Sequence, residues 1–114
     1  MLNQVVLVGR ITQNPEVKET ESGKKHSSLV IAVPRSYKNA EGVYETDFIN
    51  VTLWNMVAET TTEYCHKGDM VGIKAHVQTD SYEKDGEKKT ALQIVADKVT
   101  FLTSRAKEFQ EADR

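Results

Sequence analysis

The sequence predicts a small, closed, all-β barrel carrying one short helix, and three observations support that prediction. Short runs rich in Val, Ile, Leu and Thr alternate apolar with polar side chains and are separated by turn residues, as half-buried strands require. Between the third and fourth of these runs the spacing changes from two residues to that of a helix. Many short strands in a chain of 114 residues would also leave open sheet edges, which closure into a barrel removes.

The elements follow in order. Gln4 to Ile11 is a Val/Leu run closed by Gly9-Arg10 and forms the first strand. Residues 12–26 are polar, with Pro15 and Gly23, and read as a connection or irregular hairpin. Ser27 to Val33 is the second strand, and Pro34, which has no N–H to donate, is expected to end its ladder. A long hairpin loop is predicted over 35–46, and Asp47 to Trp54 returns as the third strand.

Asn55 is placed to cap a short helix running through Lys67, with Val57, Thr61, Tyr64 and Cys65 on its buried face and Gly68 as its stop. Three threonines in succession, Thr60 to Thr62, give it weak intrinsic propensity, so packing must hold it. Met70 to Thr79 and Thr90 to Ala96 form a second hairpin across Asp85-Gly86. After a change of parity near Asp97-Lys98, Val99 to Leu102 closes the sheet, with Phe101 in the core. Five strands as a Greek-key barrel, with the helix between strands three and four, is the layout of the OB-fold. That domain is expected over 1–104, with 105–114 as a short flexible tail.

Composition bounds the function. Charged residues are 28% and apolar residues 39% of the chain, a globular balance with one modest core. No apolar run approaches the roughly 18 residues that a membrane helix needs. Met1-Leu2-Asn3-Gln4 lacks the basic and apolar regions of a secretory signal, and the single Cys65 can form no internal disulfide; both fit the cytoplasm. The net charge of −2 runs against the basic surface usual in nucleic-acid binders. The last ten residues balance acids and bases, so the acidity belongs to the barrel. A nucleic-acid binder of this composition must rely on stacking and on local placement of charge.

The third strand is the most informative. Ile49, Val51 and Leu53 point one way, while Phe48, Asn50, Thr52 and Trp54 point the other. Two large aromatics thus share a polar face with an amide and a hydroxyl, the arrangement that base stacking uses, at roughly 1–3 kcal/mol per base. The other use of such residues is burial against a loop or a second subunit. In the next hairpin Val71, Ile73, Ala75 and Val77 share one parity, and Lys74, His76, Gln78 and Tyr82 the other. Tyr37 stands between Arg35 and Lys38 in the long loop. Aromatics interleaved with cations suit a flexible single strand, whose bases stack while its phosphates pair.

Several motifs in order resemble the bacterial and phage single-stranded DNA-binding protein family across residues 1–103. Asn3-Gln4-Val5-Val6-Leu7-Val8-Gly9-Arg10 with Asn14-Pro15-Glu16-Val17 is similar to the family's opening. Asp47-Phe48-Ile49-Asn50-Val51 with Leu53-Trp54 resembles its central strand, Ala58-Glu59, Glu63-Tyr64 and Lys67-Gly68 its helix, and Gln78-Thr79-Asp80-Ser81-Tyr82 its second hairpin. The resemblance implies an OB-fold, usually in a homotetramer, that wraps single-stranded DNA without sequence preference in replication, recombination or repair. Tyr37, Phe48, Trp54 and Tyr82 match the family's four stacking positions, and Arg10, Lys18, Arg35 and Lys67 stand where it tends to place phosphate contacts.

Three departures stand out. The chain stops at Glu111-Ala112-Asp113-Arg114 rather than in an acidic tip with a terminal Pro-Phe. It therefore resembles the short members of the family, and tail-mediated recruitment of replication enzymes is not expected. Asp80 occupies a hairpin position where basic residues are usual, and Ile49 replaces a polar residue that bridges subunits in some relatives.

No enzymatic activity and no cofactor are expected. Cys65-His66 has no second spaced pair to complete a zinc site. Val8-Gly9-Arg10 and Glu21-Ser22-Gly23-Lys24-Lys25 lack the spacing of a phosphate-binding loop. Two other functional classes remain: a primosome- or recombination-type OB-fold subunit acting through protein contacts, and an OB-fold acting on RNA or on an enzyme's substrate.

Overall fold

The strand alternation read from the sequence recurs in three dimensions, but in longer strands than their apolar segments alone mark out. The computed structural model describes residues 1–102, so the expected tail over 105–114 lies outside the described residues. The elements are β1 (Val5–Ile11), β2 (Lys18–Glu19), β3 (Lys25–Lys38), β4 (Tyr44–Trp54), α1 (Asn55–Tyr64), β5 (Met70–Lys84) and β6 (Glu87–Phe101). The sheet order is β1-β5-β6-β4-β3-β2, and β1 pairs with β3 as well, so five strands close into a ring. Each neighbouring pair is antiparallel except β4 and β6, which meet in parallel at Thr52 and Val95.

Closure depends on a glycine. β1 runs against β5 from Val5 to Arg10, then turns its end to β3, with Arg10 opposite Ala32 and Ile11 opposite Ile31. A Cβ on Gly9 would lie 2.6 Å from the carbonyl oxygen of Ala32. Only a residue without a side chain lets the two backbones approach that closely.

The interior is built from the inward parity of β1, β3, β4 and β5: Ile11, Leu29, Ile31, Val51, Leu53, Val71, Ile73 and Ala75 are all buried. Ile49 packs against this cluster from β4. The parity change near Asp97 is also present. Ala75 pairs with Ala96 but Lys74 with Lys98, leaving Asp97 as the extra residue of a bulge. The sequence reading opened a separate strand there. Instead the bulge bends β6 and returns Val99 and Phe101 to the core, so one strand serves twice.

Further expectations are corrected. Pro34 does not end β3; it sits opposite Thr46, beyond the last residue that β1 covers, where one edge of the strand is free and a missing donor costs little. The ladder continues past an irregularity to Lys38 and Tyr44, and the predicted long loop shrinks to a tip in which the Asn39 side chain accepts the N–H groups of Glu41 and Val43. Asn55 does not cap α1 through its side chain; it adopts a left-handed backbone with φ 50°, which asparagine tolerates. The helix ends at Tyr64, short of Lys67, because Cys65 is already extended. Tyr64, expected in the core, is 57% exposed and rests its ring 5.9 Å from that of Phe101. Gly68 is therefore not the helix stop; it lies in the turn that follows, with φ +92° and its N–H donated to the Ile11 carbonyl at 2.8 Å.

The β5–β6 hairpin turns at Asp85-Gly86 as predicted. Both residues have positive φ, 54° and 78°, as a tight two-residue turn between twisted strands requires. That turn sets Lys84 opposite Glu87 and, further back, Gln78 opposite Gln93.

Candidate nucleic-acid interface

The barrel's polar outer face is carried by β3 and β4, whose paired residues share a side of the sheet. Phe48 lies opposite Ala32, Asn50 opposite Val30, Thr52 opposite Ser28, and Trp54 opposite His26. From Phe48 to Trp54 the strand rise gives a span of about 20 Å. The centre of this strip is tied together by a hydrogen bond of 2.5 Å between the Ser28 hydroxyl, which donates, and Asn50 Oδ1. The two ends differ. Phe48 is 68% exposed, next to the small Ala32 and, one strand on, Arg10. Trp54 is half-buried, with the His26 ring tilted against it at 5.4 Å.

Two grooves adjoin the Trp54 end. One, of about 360 Å³, is lined by Lys24, Trp54, Asn55, Gln78, Asp80 and Gln93. The other, of about 290 Å³, is lined by Gln13, Asn14, Glu16, Lys18, His26, Ser27 and Ser28. The ladder brings Lys18 beside His26 and His26 beside Trp54, so a cation and two rings form one row. Sequence reasoning missed His26 by placing it in a connection. Carrying the β3 alternation back from Ser27 would have put it on the outer face.

The four candidate cations are not equivalent. Lys18 and Lys67 are exposed, and Lys67 gives only its backbone N–H, to Asn14 Oδ1 at 2.8 Å. Arg10 is exposed and bends its Nη1 to the Gly68 carbonyl at 3.0 Å, which sets it beside Lys67 at the foot of β1. Arg35 is engaged. Its Nε and Nη2 grip Asp47 at 2.9–3.2 Å, and its Nη1 donates to Glu45 at 2.8 Å. These contacts raise the guanidinium's pKa and hold the Asp47 carboxyl below its ordinary range. An arginine with two carboxylates has little left for a phosphate.

Tyr37, on β3, is exposed, with the Arg35 guanidinium 6.0 Å from its ring centre. Tyr44 faces Lys38 across the same hairpin, the ammonium 5.6 Å from the ring. Tyr44, to which the sequence assigns no role, is paired with Lys38 and not with Tyr37. Tyr82, 46% exposed, lies on the outer half of the β5–β6 hairpin, on the same side of β5 as Gln78 and Asp80. The Asp80 Oδ2 accepts a hydrogen bond from Gln93 Nε2, inside the groove that Trp54 lines.

The same hairpin base holds His76 between Gln78 and Asp97, at 3.0 and 2.9 Å, and these partners raise its pKa above the usual value. Cys65 is buried, and burial, with help from the Asp69 carboxylate, pushes its thiol up to about 11. Among the described residues no cluster of His, Cys, Asp and Glu could hold a metal ion, and no helix is long and apolar enough to cross a membrane.

Comparison with known proteins agrees with this geometry. The family model described as "Single-strand binding protein family" matches residues 2–102. The chain is 42% identical over 109 residues to Single-stranded DNA-binding protein B of Bacillus subtilis, covering 95% of this chain and 96% of that one. It is 38% identical to Single-stranded DNA-binding protein 1 of Staphylococcus aureus, covering 99% of this chain and 73% of the relative. Among solved structures, a deletion mutant of the single-stranded DNA binding protein from Thermus aquaticus superposes with a TM-score of 0.75 at 28% identity, over 92% of this chain and 52% of that one. A barrel with this topology, matched in sequence along nearly its whole described length, leaves one assignment: the chain belongs to the single-strand binding protein family.

Proposed function

We propose that this protein binds and protects single-stranded DNA, without reading a defined sequence, in replication, recombination or repair in the cytoplasm. It acts as a binding protein and not as an enzyme. The observation that carries this reading is the outer strip of β4, where Phe48 and Trp54 stand on one polar face instead of in the core. Bases of a flexible strand stack on those rings and on Tyr37 and Tyr82, while Arg10, Lys18 and Lys67 meet phosphates. Arg35 contributes by holding the β3–β4 hairpin in shape more than by meeting DNA, since Asp47 and Glu45 already neutralise it.

The working form is a homotetramer. Val6 and Val8, on the outer side of β1, are 68% and 50% exposed, and lie opposite Lys74 and Gly72 of β5. Adjacent exposed aliphatic residues on a sheet face are the kind of surface that a second copy covers. Titrating the protein with oligo-dT, an RNA of matching length and duplex DNA tests the ligand; preference for duplex or RNA would contradict the reading. Light scattering at micromolar concentration tests the assembly, and a monomer mass would remove wrapping around four barrels but leave strand binding in place.

A further inference from the structure

The groove beside Trp54 is more than a flat stacking surface. Its volume of about 360 Å³ is enough for a base with its sugar, and its wall includes a carboxylate. Asp80 spends one oxygen, Oδ2, on the Gln93 amide, while Oδ1 has no hydrogen-bond partner among the described residues. Gln93 stands diagonally across the hairpin, because the Asp85-Gly86 turn sets Gln78 opposite Gln93 and Asp80 opposite Ala91. Anchoring one oxygen restricts rotation of the carboxylate, so its second oxygen keeps a defined place in the groove that Trp54 lines. Lys24, on the same groove, brings a cation for the phosphate of whatever nucleotide enters.

A carboxylate accepts hydrogen bonds and donates none. At C4 the two pyrimidines present opposite chemistry to it. Cytosine carries an amino donor at C4, and thymine carries a carbonyl oxygen there. An acceptor facing the first makes a charge-assisted hydrogen bond; facing the second it sets lone pair against lone pair. We propose that this groove receives a base stacked on Trp54 and that Asp80 accepts a hydrogen bond from its exocyclic amino group, so that the site favours cytosine over thymine. The preference is confined to one pocket within otherwise sequence-tolerant binding, and it rests on the reading that DNA stacks on Trp54.

The rival account is that Asp80 only repels the phosphate chain. That would weaken binding of every strand alike and leave no base preference. Affinities for oligo-dC and oligo-dT of equal length, measured at one salt concentration for the wild type and for Asp80→Ala, separate the two. Taking the ratio of ratios cancels the intrinsic difference in stiffness and stacking between the two polymers, and also the loss of charge common to both. The ratio of dC to dT affinity should fall about fivefold or more in Asp80→Ala, the loss expected for one base-edge contact. Asp80 is exposed, so the variant should fold, and its melting temperature checks that. An unchanged ratio, with Trp54 emission still quenched by both strands, would overturn the base preference and leave DNA binding standing. Absence of quenching by either strand would overturn both.

Discussion

The two ends of the outer strip on β4 hold an aromatic each, in different surroundings. Trp54 is half-buried, braced by His26, and lines a groove with Lys24, while Lys18 lies beside His26. Phe48 stands largely clear of the surface, with Ala32 beside it and, among the described residues, no ring against it. A braced ring loses little rotamer freedom when a base lands on it, whereas a free one must be ordered at that moment. On the proposed reading, the same strand and the same alternation offer a preorganised stacking site at one end and an adaptable one at the other.

The largest expected effect follows from that contrast. Trp54→Ala should weaken oligo-dT binding by about 2–3 kcal/mol, the upper part of the range for a stacked base. Phe48→Ala should cost less, about 1 kcal/mol. Equilibrium titration of both variants at fixed salt checks the order, and a larger loss at Phe48 would show that bracing does not set the strength of stacking.

Asp80→Arg is the next step down. It removes a negative charge beside Trp54 and adds a phosphate partner, so oligo-dT should bind more tightly. Log K should fall more steeply with log salt, by about 0.7 in slope. An unchanged slope would place the DNA path away from the β5–β6 hairpin, and so away from the groove that distinguishes the Trp54 end.

These predictions rest on features of unequal legibility. The faces of β4 and β5 were plain in the sequence, because buried aliphatic residues at every second position define a strand's two sides wherever one side is core. Strand ends were not. Beyond Val33 and Thr79 the chain projects past the barrel as exposed hairpin arms, where neither side meets a core and no apolar pattern is imposed. Pro34 read as a stop because a local rule cannot see that one edge of its strand is unpartnered. The Asp80–Gln93 contact could have been found by counting back from the Asp85-Gly86 turn, which sets the register of the whole hairpin. Arg35 could not. Its grip on Asp47 and Glu45 lies next to the irregularity between Pro34 and Lys38, which shifts the register in a way the residue types do not announce.

Arg35 supplies the smallest effects. Since its guanidinium is already paired, Arg35→Ala should change oligo-dT affinity by less than about 0.5 kcal/mol, whereas Lys18→Ala, beside the braced end, should flatten the salt slope by about 0.7. The ion pair also has a pH signature. Asp47 titrates below its ordinary 3.8 when folded, so its contribution is present above that pH and is lost as pH falls through the lower folded value. The melting-temperature difference between wild type and Asp47→Asn should therefore shrink on acidification below about pH 4. Both partners are substantially exposed, so the difference will be small at any pH. Equal loss of affinity in Arg35→Ala and Lys18→Ala would mean that DNA displaces the carboxylates and reaches the β3–β4 hairpin as well.

The central claim is that bases stack on the outer face of β4, and the chain provides a direct reporter of it. Trp54 is its only tryptophan, so intrinsic emission excited in the indole band reads that one position. Titration with oligo-dT should quench the emission strongly and saturably, and the quenching should reverse as salt is raised and the strand dissociates. Binding of oligo-dT, detected independently by anisotropy of a labelled strand, with Trp54 emission unchanged would contradict the account and place the DNA on another face of the barrel.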